Sequence, residues 1–310
     1  MAERGQHRRQ GRRPPEQLRD LPEGLYGTWS AKLAAPLTAV LGGRFSWYDE
    51  LYATPGSETR KQVDSKFTSY AGLVYALDAR WNAYASYADV FEPQSERTAA
   101  GAGLDPISGK NYELGLKGEL LDGRVNASAA VFRYEHSGRA VQDLAAGYAC
   151  DGWYCSRASG KVRSQGAEAE LSGALARRLQ LFAGYAYTTT KFLSDPVNQD
   201  MVFSTWAPKH MLRLWADYQL PLAQDKLSVG AGLSTQSNTL AFDRSFKVAG
   251  FTTWNARLGY RFSPQLALAL NVNNLFDQRY YVPAYSMASG NNYYGEPRNV
   301  MLTLKFTPKL

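Results

Sequence analysis

The sequence predicts an all-β fold whose antiparallel strands form part of a transmembrane β-barrel wall. Three observations carry that prediction. Segments along the 310-residue chain alternate at a period of two, as in "QLALALNV", where Leu266, Leu268, Leu270 and Val272 alternate with Ala267, Ala269 and Asn271. Short connections between these segments take turns with long polar ones. Mean hydropathy is negative, the chain carries 20 tyrosines and 7 tryptophans, and no stretch approaches the ~18 consecutive apolar residues of a membrane helix.

The elements follow in chain order. The first 24 residues carry six arginines and four acidic residues without an apolar segment, so they are neither a strand nor a secretory signal. Residues 1–24 are read as a disordered tail and 25–310 as the partial barrel, with no nucleic-acid partner expected. About thirteen alternating segments follow. Short connections fall at "AAP" near Pro36, "LDAR" at Asp78, "LDGR" at Asp122, "ALARR" near Ala176, "LPLAQDK" at Pro221 and "FSPQ" at Pro264. Long ones are expected over 49–64, 92–110, 136–160, 193–208, 237–249 and 276–296. Such sorting is expected when every second strand end faces the same side, as in bacterial outer-membrane barrels, and a soluble sandwich has no reason for it.

The strand faces agree. In "NYELGLKGEL" Tyr112, Leu114 and Leu116 oppose Glu113, Gly115 and Lys117. "RLQLFAGYAY" turns Leu179, Leu181, Ala183, Tyr185 and Tyr187 one way, and "KLSVGAGLS" does so with Leu227, Val229, Ala231 and Leu233. In "TTWNARLGYRF" Trp254, Ala256, Leu258, Tyr260 and Phe262 lie opposite Asn255, Arg257, Gly259 and Arg261. A mid-strand arginine is costly against lipid, so the second set is placed toward a wet lumen. Trp29, Trp47, Trp81, Tyr87 and Trp254 are read as interface anchors or packing residues.

Cys150 and Cys155, in "GYACDGWYCSR", are read as a disulfide tightening a loop in an oxidising compartment. Metal binding is the rival; a zinc site needs about four ligands and no histidine is near in sequence.

The stretch "NVNNLFDQRYY" (271–281), followed by "GEPRNVMLTLKF", resembles the C-terminal signature of TonB-dependent outer-membrane receptors. "YASYADVFEPQS", "LDPISGKNYELGLKGELLDGRVNASAAVFR" and "GKVRSQGAEAELSGAL" point to the same family in the same order, and together they resemble its ferric-siderophore branch, with receptors for ferric coprogen and ferripyoverdine as the nearest likeness. The resemblance spans about Leu25 to Phe306. It implies a barrel of 22 strands, of which about thirteen are present here, with the N-terminal plug and the TonB-contacting segment absent from this chain. It implies a cell outer-membrane location, with lipid and lipopolysaccharide as surroundings, and a ferric siderophore as ligand. Iron would arrive already chelated, so no cofactor and no protein metal ligand are expected. At the rim motif, Asp277 and Arg279 are expected to pair, and Tyr280 and Tyr281 to sit at the headgroup level.

The C-terminus, "TPKL" after the alternation Val300, Leu302, Leu304 and Phe306, departs from the aromatic ending of many relatives, which puts efficient insertion in question. By itself this partial barrel is not expected to transport.

Ligand contacts are expected from loops and the upper lumen, where aromatic faces pack on an organic shell and cations attract an anionic complex. The candidates are Tyr148, Trp153, Tyr154 and Arg157 around the cysteines, Trp206, Arg244 and Lys247 in later loops, and Tyr285, Tyr293 and Tyr294 in the last one; loop packing or lipopolysaccharide contact is the alternative for each. An enzyme is not expected: only His7, His136 and His210 exist, and the set His136, Ser137 and Asp143 has no constrained geometry. A passive porin-like barrel and a non-functional remnant of a disrupted receptor gene stay as alternatives.

Overall fold

The computed structural model describes residues 17–54, 57–150, 153–282 and 293–308. The strands are β1 (Gln17–Ala34), β2 (Leu37–Thr54), β3 (Ser57–Ala76), β4 (Trp81–Glu92), β5 (Ile107–Leu120), β6 (Val125–Gln142), β7 (Ser156–Ala176) and β8 (Leu179–Ser194). They continue with β9 (His210–Gln219), β10 (Leu227–Gln236), β11 (Thr239–Leu240), β12 (Lys247–Val248), β13 (Phe251–Arg261), β14 (Leu266–Asn273) and β15 (Asn299–Phe306). Thirteen of them form one sheet in which each strand pairs antiparallel with its neighbour in sequence; β11 and β12 form a separate two-stranded hairpin inserted between β10 and β13. In the described structure β1 and β15 are the two edges of the sheet.

This meander sends successive connections to opposite ends. One end carries the brief links after β1, β3, β5, β7, β9 and β13; the other carries the links after β4, β6, β8, β10 and β14, each at least a dozen residues long. The segment 49–64 departs from expectation. It is not a long loop: β2 runs to Thr54 and β3 starts at Ser57, so the strands themselves extend there. At the N-terminus β1 begins at Gln17, inside the stretch read as a tail, while residues 1–16 lie outside the described residues. Arg157 likewise belongs to β7, because the connection preceding it is only 143–155.

Cross-strand register turns the period of two into two chemically distinct faces. One row runs Leu179, Tyr218, Val229, Leu258, Leu270, Leu302 across six strands. The row one residue away runs Gln180, Asp217, Gly230, Arg257, Asn271, Met301. The apolar face is bare: Leu114 is 59% exposed, Leu258 46% and Leu302 65%. Among the described residues the buried apolar side chains are few and mostly small, such as Ala39, Val125, Val162 and Cys155, so a dry core between packed layers, which a soluble sandwich needs, is not what these strands enclose.

The polar face holds an ion pair within the wall. Arg257 Nη1 donates to Asp217 Oδ2 at 2.9 Å and to Ser228 Oγ at 3.2 Å. The two charged residues flank Gly230 in register, and a Cβ there would stand 2.6 Å from Trp215 Cζ2 and 3.0 Å from Asp217 Oδ2. Glycine therefore opens the wall so that the ion pair and the Trp215 ring can share it. The same device recurs where Tyr84 covers Gly115 and Trp81 covers Gly118, each directly opposite in register.

Candidate functional site

The candidate residues lie on or beside the long connections, which the structure organises into three groups. The first joins 93–106 to 143–155. β6 bulges between Ser137 and Ala140, where Gly138 takes φ +79°, and the bulge leaves backbone groups without ladder partners. Gln94 supplies them: its Oε1 accepts from Ala140 N at 3.1 Å, and its Nε2 donates to Gly138 O at 2.8 Å and to Asp105 O. Ser156 N donates to Arg97 O at 2.9 Å and Asp143 N to Cys155 O at 2.8 Å.

Within that frame Cys150 and Cys155 are joined by a disulfide, which displaces the metal-binding reading; no group of metal ligands occurs among the described residues. Cys150 and Trp153 also exchange backbone hydrogen bonds of 3.1 and 2.8 Å. The knuckle so formed brings Tyr148, Trp153 and Tyr154 together. The Tyr148 and Tyr154 ring centroids are 4.3 Å apart, and Trp153 stands edge-on to both at 6.4 and 6.1 Å. Tyr148 is 63% and Trp153 64% exposed, although a buried position would favour such large rings. The hydrogen bond with Tyr148 pushes the Tyr154 phenol above its ordinary pKa. Arg157 is exposed at the start of β7, just past the knuckle.

The second group joins 195–209 to 237–250. Trp206 and Phe242 face each other at 6.1 Å, and Leu240 N donates to Thr205 O at 3.0 Å. Arg244, a candidate for attracting a ligand, ties the fold: its Nη2 donates to Val202 O at 2.9 Å, its Nη1 reaches Asn198 Oδ1 at 3.4 Å, and its guanidinium lies 5.7 Å from the Phe192 ring centre. Lys247 has a different setting. It lines a cavity of about 540 Å³ between β7, β8, the 195–209 connection and the β11–β12 hairpin, together with Lys209, Thr188, Ser204, Thr205 and Thr239. Also on its wall, Lys191 pairs with Asp200 at 2.8 Å and thereby lowers that carboxyl's pKa.

The third group is the last connection. Asn274 is only 3% exposed and closes its base: Nδ2 donates to Gln278 O at 2.9 Å and to Glu296 O at 3.0 Å, while Oδ1 accepts from Gln278 N at 2.9 Å. Its own N–H donates to Asn255 Oδ1 at 2.9 Å. Phe251 stacks on Tyr280 at 4.0 Å and Tyr281 on Tyr294 at 4.9 Å, with Val282 N donating to Tyr293 O at 3.0 Å. Tyr293 and Tyr294 are exposed; Tyr285 lies outside the described residues. Asp277 does not pair with Arg279 among the described residues; its Oδ1 accepts from Arg298 N at 3.0 Å, a link across the connection that adjacent positions on one turn could not make.

The His136–Ser137–Asp143 set is spread along β6 and into the next connection, with Asp143 Oδ1 accepting Ala145 N at 3.2 Å in a local turn. Sequence reading missed Gln94, Asn274 and Lys209. A glutamine, an asparagine and a lysine in polar loops carry no local signal that singles them out.

The TonB dependent receptor-like β-barrel family model matches residues 7–275. The ferric-pyoverdine M114 receptor of Pseudomonas sp. (strain M114) is 42% identical over 91% of this chain and 35% of its own length. The ferrichrome outer membrane transporter/phage receptor of Escherichia coli is 31% identical over 86% of this chain and 36% of its length. Among solved structures, the ferripyoverdine receptor of the Pseudomonas aeruginosa outer membrane superposes with a TM-score of 0.77 at 31% identity, over 92% of this chain and 38% of that one. The chain thus spans about a third of the length of the curated relatives it matches. With its thirteen-stranded antiparallel wall, its two unlike faces and this match, the chain belongs to the TonB dependent receptor-like β-barrel family.

Proposed function

We propose that this chain forms the distal barrel wall of an outer-membrane receptor that takes up ferric siderophores. Its apolar face meets lipid and lipopolysaccharide, and its long-connection rim meets the chelate. The observation that carries this reading is the bracing of exposed aromatic rings at that rim, above all the disulfide-held Tyr148–Trp153–Tyr154 knuckle. Ordering three large rings in water is unfavourable unless something covers them, and the organic shell of a chelate offers flat, partly apolar surface. Similarity to ferric-pyoverdine receptors supports a pyoverdine-type ligand, with iron as cargo inside it. Uptake coupled to TonB belongs to the whole receptor, of which this chain matches a third; alone it binds but does not drive transport.

Titrating the chain in detergent micelles with a ferric pyoverdine, while following tryptophan fluorescence, tests the reading. Saturable quenching that weakens about tenfold in Trp153→Ala is expected. Quenching that is absent, or indifferent to Trp153, Tyr148 and Tyr293 together, refutes the rim as the binding surface. Liposomes carrying the chain should show no energised uptake and no steady ionic conductance; an open channel would favour a porin instead.

A further inference from the structure

The cavity at the second group is built unlike the aromatic knuckle. Its wall carries four cations, Arg163, Lys191, Lys209 and Lys247, against the single acid Asp200. Two of the four have acidic partners: Arg163 reaches Glu135 at 2.7 Å, a carboxylate it shares with Arg133 and Lys161, and Lys191 reaches Asp200 at 2.8 Å. Lys209 and Lys247 make no ion pair among the described residues, and both are exposed. They come from different elements, the end of the 195–209 connection and β12, so the fold brings two uncompensated charges to one cavity. Like charges held at a shared wall repel, and an anion between them removes the repulsion.

Hydroxyl groups line the rest of the wall. Thr188, Ser204, Thr205 and Thr239 offer side chains that both donate and accept. The backbone that carries them is fixed: Thr188 N donates to Lys209 O at 2.9 Å, and Ser204 N donates to Thr190 Oγ1 at 2.8 Å. The hairpin is fastened as well, with Thr239 opposite Val248 and Leu240 opposite Lys247. At about 540 Å³ the space exceeds what a bare oxyanion fills and suits a sugar-sized molecule. Lysine is a point charge with freely turning donors and holds a phosphate oxygen without the fork of an arginine.

From this we propose that the cavity between β8, the 195–209 connection and the β11–β12 hairpin binds a phosphorylated sugar, its phosphate on Lys209 and Lys247 and its hydroxyls on the threonine and serine wall. The same chemistry reaches a surface loop from two sources, a soluble sugar phosphate or the headgroup of a phosphorylated glycolipid. Neither depends on siderophore binding, and a chain that ignores ferric pyoverdine can still satisfy this inference.

The test is calorimetric titration of the chain in detergent micelles with glucose 1-phosphate, glucose and inorganic phosphate. In a second arm the chain sits in nanodiscs with or without lipid A. Saturable binding of glucose 1-phosphate, no binding of glucose and weaker binding of inorganic phosphate are expected. Lys209→Gln and Lys247→Gln should each weaken binding about tenfold, the loss of one charge-assisted hydrogen bond. Lys226→Gln, in the short connection at the other end of the sheet, should leave it unchanged. If only the lipid A arm shows lysine-dependent binding, the proposal stands with a lipid headgroup as its source. Should neither arm show it, or should glucose or inorganic phosphate bind as well as the sugar phosphate, the proposal fails. If one lysine variant misfolds, the other supplies the lysine dependence in both arms, and the comparison of glucose 1-phosphate with glucose on the unaltered chain decides the soluble arm.

Discussion

The two ends of the sheet solve the same problem, satisfying backbone at a chain reversal, by opposite means. At the short-connection end the solution is largely local, with side-chain ties only between neighbouring turns, Arg80 to Asp122 and Arg178 to Asp225. Asp78 Oδ1 accepts from Arg80 N at 2.7 Å and from Trp81 N at 2.8 Å, within one turn. Leu121, Asp122 and Gly123 take positive φ so that a four-residue link reverses the chain. At the long-connection end the ties reach far along the sequence: Gln94 bonds Gly138 and Ala140, Arg244 bonds Val202, and Asn274 bonds Glu296. Local closure leaves nothing over for recognition. Remote closure fixes long loops while their aromatic rings stay exposed, which is the arrangement a binding surface needs.

If that contrast is real, the largest effect of a single substitution at a rim belongs to Asn274. Replacing it with leucine removes three hydrogen bonds made by a nearly buried amide and leaves Gln278 N, Gln278 O and Glu296 O without that partner. A loss of about 2–3 kcal/mol in local stability is expected. Hydrogen exchange of the Gln278 amide would report it as a rise of roughly thirtyfold or more. An unchanged rate would mean that the last connection is held by its stacked tyrosines alone.

The disulfide ranks next. Cys150→Ser with Cys155→Ser opens a loop of about six residues, for which chain entropy gives roughly 2 kcal/mol. Limited proteolysis after Tyr148, Trp153 or Tyr154 should then accelerate, while cleavage in the last connection stays as it was. Acceleration in both would show that the groups are mechanically coupled. Gln94→Leu should weaken the same knuckle less, by about 1–2 kcal/mol, because water reaches the freed groups at the bulge. It should also raise exchange at the Ala140 amide, which the disulfide variant leaves protected.

These ties also mark where sequence reading stops. The strands of the wall were legible because lipid and lumen impose a period of two, as at Leu258 and Arg257 or Leu302 and Met301. The alternation of short and long links was legible because Gly, Pro and Asp punctuate the short ones. The stretch 49–64, "DELYATPGSETRKQVD", reads as a loop because polar residues and the Pro-Gly pair break the period of two, yet 49–54 and 57–64 are strand in the structure. The Cys150–Cys155 knuckle could be suspected from spacing, but the partners of Gln94 lie 44 and 46 residues away, and nothing local names them. Arg244 shows the same limit: a cation in a polar loop reads as a ligand candidate, and nothing local names Val202 and Asn198, the partners through which its guanidinium joins two connections.

The smallest predicted effect lies at the short end and tests whether its closure is indeed local. Backbone hydrogen bonds from Arg80 and then Trp81 hold the Asp78 carboxyl below its ordinary value of 3.8. A folded-state pKa below the unfolded one means that the carboxylate contributes stability above the unfolded value and loses it as pH falls through the folded one. The difference in melting temperature between the unaltered chain and Asp78→Asn, followed in micelles, should therefore be flat above about pH 5 and shrink below about pH 4. It should be small at every pH, since the turn is exposed and water competes for its donors. Neither the exchange of the Gln278 amide nor the proteolysis of the knuckle should move with it. If protonating Asp78 loosened the far rim, the two ends would not be independent solutions, and the division between a closing end and a binding end would have to be abandoned.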